Sequence, residues 1–177
     1  MRYLKIVVKD QSSNAQADTV NLFFMQRNPK LPDEVVRTAT AVDTSADGLV
    51  DYQITGDIDG DRIVSGLQDR ELLKHFANSV LKLSWLSRPS MPNRSIIVYV
   101  SRFDTATNPV EIRLDFFQRE KPMMGKEKLM LSLTACGGSA KGEMRLDEEM
   151  LPSDLFDTVD QEALQRMVKT YLKFNWR

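Results

Sequence analysis

Apolar and polar residues alternate in two early runs, at 3–9 and at 18–26 (Asp18-Thr19-Val20-Asn21-Leu22-Phe23-Phe24-Met25-Gln26), separated by the polar stretch Gln11-Ser12-Ser13-Asn14-Ala15-Gln16. β-Branched and aromatic residues in such runs fit a pleated, half-buried surface, so the chain is expected to open with a β-hairpin. Similar runs at 49–55, 81–87, 96–102, 110–118 and 128–136, each bounded by Gly, Pro, Asn or Asp, predict further strands. Together they predict a largely antiparallel sheet.

Two segments carry a helical period instead. Within 68–81 the apolar residues Leu72, Leu73, Phe76 and Val80 recur every three to four positions, which predicts a short amphipathic helix running into the next strand. Within 158–174, Leu164, Met167, Val168, Tyr171 and Leu172 form one apolar stripe. Thr158 and Gln161 have the spacing of a capping box, and Lys169, Lys173 and Arg177 sit where the helix dipole favours cations. The expected fold class is α+β. The chain reads without internal repeat, low-complexity tract or long linker, so a single domain over 1–177 is expected.

Composition narrows the function. The 177 residues are 42% hydrophobic and 28% charged, as in an ordinary globular protein. Lys and Arg total 24 against 25 Asp and Glu, so bulk charge gives no reason to bind nucleic acid. Charge is nevertheless uneven: residues 40–72 hold eight acids and two bases, while 80–128 hold nine bases and five acids. The lone cysteine, Cys136, cannot form an intramolecular disulfide, and with His75 as the one histidine it cannot complete a zinc site, so a reducing compartment is expected. The N-terminal residues are charged too early for a signal peptide, and no apolar run approaches the roughly 18 to 20 residues needed to cross a bilayer, so a cytosolic protein without membrane contact is expected.

Asp57-Ile58-Asp59-Gly60-Asp61 begins like a calcium loop, with carboxylates at alternate positions, but Arg62 stands at the sixth position where Gly is required and Gln68 at the twelfth where a bidentate Glu is required. A solvated acidic turn is the expected reading, and no metal or cofactor is expected. His75 has no partner in a nucleophile motif and reads as structural. Cys136, ending an apolar strand before Gly137 and Gly138, reads as a buried small hydrophobe at a turn. Asn93-Arg94-Ser95 fits a glycosylation sequon that has no meaning without secretion. No glycine-rich phosphate loop is present, so nothing points to an enzyme.

The most informative stretch is 81–103, where Arg88, Arg94 and Arg102 are interleaved with Trp85 and Tyr99. A basic, aromatic sheet surface binds single-stranded RNA by phosphate pairing and base stacking, while the plainer reading is an exposed hairpin with inward-packed aromatics.

Three places resemble the coat proteins of single-stranded RNA bacteriophages, the leviviruses. Leu4-Lys5-Ile6-Val7-Val8-Lys9-Asp10 followed by Thr19-Val20-Asn21-Leu22-Phe23 resembles their N-terminal hairpin. Ser84 to Phe103, with Pro89-Ser90 and Asn93-Arg94 in its connection, resembles their central strand pair. Asp157-Thr158-Val159-Asp160-Gln161-Glu162 resembles their helix start. Segments near 56–80 and 104–127 are additions to that pattern. The resemblance implies a sheet completed by dimerisation, C-terminal helices crossing over the partner's sheet, and dimers assembling into an icosahedral shell in the bacterial cytoplasm to form the virion. It also implies that an RNA hairpin binds the interior face through Ser87, Asn93, Arg94, Ser95 and Tyr99. Ser95, Ile97, Tyr99 and Ser101 would face inward, with Val98 and Val100 beneath the helices. On the preceding strand the same register turns Leu83 and Trp85 toward RNA and Ser84 and Arg88 away. The alternative expectation is a small cytosolic protein-binding module, of toxin-neutralising or adaptor type, that uses the acidic face at 40–72.

Overall fold

The computed structural model describes the chain except residues 65, 88–92, 106, 122–123, 138–142, 148 and 150, and gives the backbone alone for 120, 121 and 124. Arg88, Pro89 and Ser90 therefore lie outside the described residues. Among the described residues eight strands form one antiparallel sheet: β1 (Arg2–Lys9), β2 (Thr19–Gln26), β3 (Glu34–Val42), β4 (Tyr52–Ile54), β5 (Arg94–Phe103), β6 (Pro109–Lys121), β7 (Met124–Gly137) and β8 (Met144–Leu146). Three helices accompany them, α1 (Leu67–Leu81), α2 (Ser84–Ser87) and α3 (Thr158–Lys173). The class is α+β, as the pattern predicts.

Strand order is β4-β3-β2-β1-β5-β6-β7-β8. Period-two alternation sends Leu4 and Ile6, Val20, Leu22 and Phe24, Ile96 and Val98, and Ile112, Leu114 and Phe116 to one face, where all are buried. That face is covered by α1 through Leu72, Leu73, Phe76 and Val80, and by α3 through Leu164, Met167, Val168 and Tyr171. Phe174 ties the layers together, with ring centroids 4.9 Å from Phe76 and 5.9 Å from Phe24. The apolar stripe of α3, expected to need a second subunit's sheet, is covered by this chain's own sheet and α1.

The expected strand at 81–87 is instead the end of α1 followed by α2. Leu81, Leu83 and Trp85 mimic strand alternation, but Leu83 and Leu86 continue the helical stripe and all four are buried beside α1. Of the run 49–55 only Tyr52–Ile54 pairs, at the sheet edge. β3 escapes the pattern because its first half is exposed and Arg37 interrupts the alternation. The N-cap of α3 is Asp157, one residue before Thr158; Asp160 N–H donates to Asp157 and Asp157 N–H to Asp160, so these two residues form the box expected of Thr158 and Gln161.

The element order contains a repeat, four strands and a helix made twice, which corrects the expectation of a chain without one. The hairpin pair Arg2↔Gln26 recurs 92 residues later as Arg94↔Gln118. A bulge after Phe24 recurs after Phe116. At the same spacing Leu22, Phe24, Gln26 and Arg27 match Leu114, Phe116, Gln118 and Arg119, and one residue closer Asp69, Leu73, Leu81, Lys82 and Trp85 match Asp160, Leu164, Leu172, Lys173 and Trp176. β1 and β5 join the halves at the middle of the sheet.

Each half also ends inside the other. Trp85 of the first half packs edge-on against Phe116 of the second, at 5.7 Å and 89°. Trp176 of the second packs the same way on Phe24 of the first, at 5.6 Å and 86°. Edge-to-face pairing at this separation is a favourable ring geometry. The repeat is hidden in sequence because selection on a core preserves volume and period more than identity.

Candidate nucleic-acid interface on the open sheet face

The opposite face of the sheet carries no helix among the described residues. Odd-numbered positions of β1 and β5 and their neighbours line it: Lys5 and Val7, Asn21, Phe23 and Met25, Ile97 and Tyr99, Arg113, Asp115 and Phe117. Most are half-buried by their neighbours. The Tyr99 hydroxyl donates to Asp115 Oδ2 at 3.2 Å, Ser132 Oγ donates to Asp115 Oδ1 at 2.6 Å, and Arg113 Nε donates to the same oxygen at 2.8 Å. Burial first, and then the charge of Asp115, raises the Tyr99 pKa, so the phenol stays a neutral donor.

Beyond a bulge, the far end of the β6 and β7 hairpin meets β1. Glu127 accepts from Lys5 Nζ at 2.7 Å and from Arg119 Nη2 at 3.3 Å. Beside this ion group lies a depression of 430 Å³, lined by Lys5, Val7, Phe23, Met25, Val35, Asn93, Arg94, Ser95, Arg119 and Glu127. The Ser95 hydroxyl oxygen is buried there without a hydrogen-bond partner among the described residues.

The five residues expected to contact RNA separate into two groups. Ser95 and Tyr99 lie on the open face with Ile97 and Ser101, and Val98 and Val100 lie beneath the helices, as the alternation predicts. Asn93 is exposed just before β5, in left-handed backbone with φ of 76°. Arg94 has the opposite parity and is 8% exposed; its Nη1 donates to Trp85 O at 2.9 Å, and its guanidinium carbon lies 3.8 Å from the Trp85 ring centroid. Ser87 sits on α2, where its hydroxyl donates to Leu83 O at 2.9 Å. Leu83 and Trp85 are buried with the helices and do not turn toward the open face, while Ser84 donates to Asp160 at the start of α3.

Sequence reading missed Lys5, Phe23, Phe117, Arg119 and Glu127. The signal for Phe117 and Arg119 was present as the repeat of Met25 and Arg27. Lys5 and Phe23 required knowing that β1 and β2 stand at the centre of the sheet.

Carboxylate oxygens of Asp57, Asp59 and Asp61 lie within 4.8 Å of one another. Each also accepts local backbone N–H groups, Asp57 from Gly60 at 2.7 Å, Asp59 from Asp61 at 3.1 Å and Asp61 from Ile63 at 2.7 Å. Burial first, and then the neighbouring carboxylates, raises the pKa of Asp59. His75 is exposed on α1, 3.5 Å from Glu71. Cys136, expected to be buried, is exposed on β7, because its parity points away from the helices.

Compared with known proteins, the chain matches no family model, no curated protein and no solved structure.

Proposed function

We propose that this protein binds single-stranded RNA on the open face of its sheet and serves as the coat subunit of a single-stranded RNA phage virion. The observation that carries the binding reading is the contrast between the two faces. One is sealed by α1 and α3, while the other leaves Phe23, Tyr99 and Phe117 half-exposed among Lys5, Arg113 and Arg119. Rings that stack on unpaired bases, set among cations, are the usual means of holding a single strand. Arg113 and Arg119 are partly neutralised by Asp115 and Glu127, so binding rests on stacking and base edges more than on bulk charge.

The coat role is supported by the resemblance in the N-terminal hairpin, the 84–103 region and the start of α3. A coat dimer joins two sheets, and this chain joins two four-stranded halves through β1 and β5, with the tryptophan that closes each half lodged against the other. In this reading one chain stands where a coat dimer would, and copies of it associate into the shell. The exposed side chains of Tyr52, Ile54, Ile63, Val64 and Leu67 within the acidic 40–72 region favour the second reading, a protein-binding module.

Electron microscopy and size exclusion of the protein expressed in bacteria test the proposal. Megadalton particles containing RNA are expected. A small species that binds RNA would remove the coat role alone. A small species without salt-sensitive RNA binding would remove both and leave the protein-binding module.

A further inference from the structure

The two halves differ at one position of the open face in a way that defines a ligand. Tyr3 and Ser95 are equivalent, 92 residues apart, each one residue inside the first strand of its half and paired with Met25 and Phe117 respectively. In the first half the Tyr3 ring is 5% exposed, its hydroxyl donates to Asp33 Oδ2 at 2.6 Å, and the Arg27 guanidinium carbon lies 5.3 Å from its centroid. The second half repeats the surroundings without the ring. Arg119 stands for Arg27 and Glu127 for Asp33, and the pair is again in contact at 3.3 Å. Ser95 carries no ring, the depression opens beside it, and its hydroxyl is buried without a partner among the described residues. Val7 lies across the strand pair from Ser95.

We infer that the Ser95 depression is a base-binding slot that takes an unpaired guanine of single-stranded RNA in the position the Tyr3 ring fills in the other half. This rests on the RNA reading above and names its specific subsite. The ring would stack under Arg119, as Tyr3 lies under Arg27. Glu127, like Asp33, is an acceptor; its two oxygens hold Lys5 Nζ at 2.7 and 2.9 Å, and donors at the ring edge would take that ammonium's place. Guanine presents two adjacent donors, N1–H and the N2 amino group, that match the two oxygens of one carboxylate; the other bases interrupt their donors with acceptors or offer a single donor group.

The experiment uses the full chain with GMP, followed by amide NMR, and labelled nine-residue RNAs, all-uridine or with one central guanosine, followed by fluorescence anisotropy. GMP is expected to shift the amides around Val7, Ser95 and Arg119. The guanosine 9-mer is expected to bind about tenfold more tightly than the uridine 9-mer, the discrimination of one bidentate base contact. Ser95→Tyr, which copies the filled half, should abolish both effects. Glu127→Gln, which keeps the slot open but removes one acceptor oxygen, should remove the guanosine preference and covers the case in which Ser95→Tyr does not fold. The inference is overturned if GMP shifts nothing near Ser95, or if both variants behave as the parent. N-acetyltyrosinamide filling the slot in place of GMP would overturn it in favour of a protein side chain. If GMP fills the slot while neither 9-mer binds, the RNA reading fails and the slot stands.

Discussion

The Arg94 guanidinium lies on the Trp85 ring, 3.8 Å from its centroid, and the pair recurs as Arg2 on Trp176 at 4.6 Å. In both cases the arginine opens one half of the chain and the tryptophan closes the other. The contact is therefore part of what holds the halves together, and at Arg94 it is desolvated.

A cation over indole is worth about 2 kcal/mol when desolvated and about 0.5–1 kcal/mol when exposed. Arg94→Ala should therefore cost more stability than Arg2→Ala, about 2–3 kcal/mol against about 1 kcal/mol. Urea unfolding of the two variants measures the difference. RNA binding of folded Arg94→Ala should keep the parent's salt dependence, since this charge does not lie on the open face; a flattened dependence would return Arg94 to the interface.

Met167 is 1% exposed in α3, whereas Leu172 is only partly buried at the edge of the core. Met167→Asp should leave no folded chain, since an unpaired buried charge costs several kcal/mol. Leu172→Asp should give a folded, weakened protein. Circular dichroism melts separate the outcomes, and a stable Met167→Asp protein would contradict the packing of α3 on this sheet.

Asp18 provides a pH-dependent element of stability. Burial opposes its ionisation, but hydrogen bonds from the Gln11 and Ser12 amides and the Thr19 hydroxyl outweigh it and lower its pKa to about 2. Because the folded value lies below the unfolded one near 4, the stabilisation is full above about pH 4 and is lost as pH falls through about 2. Asp18→Asn should melt below the parent at pH 7, and the gap should close across that acid range. A gap that persists at pH 2 would show that the effect is not ionic.

Cys136 is exposed, so maleimide should label the native protein quickly without a change in its melting temperature. Labelling only on unfolding would mean that this face of β7 is covered in solution.

Strand and helix periods of the chain made most of the fold legible, because β1, β2, β5, β6 and α3 each bury a continuous stripe. What resisted reading was arrangement. Leu81, Leu83 and Trp85 satisfy both periods, and burial beside α1 decided between them. The division of Arg94 from Ser95 follows from one step of alternation, yet it needed the start of β5 to within one residue. Tyr99 and Ser95 were legible as open-face residues, whereas the ion group of Lys5, Arg119 and Glu127 joins strands 122 residues apart in sequence.

Since Trp85 and Trp176 are each lodged under the opposite half, a single cut of the chain between Ser87 and Asn93 would not part the molecule. Each fragment would lack the tryptophan that finishes its core and would find it on the other. Separately made fragments ending and beginning at that connection should then be poorly folded alone and restore one another on mixing, a natural split protein whose reassembly reports that both pieces are present.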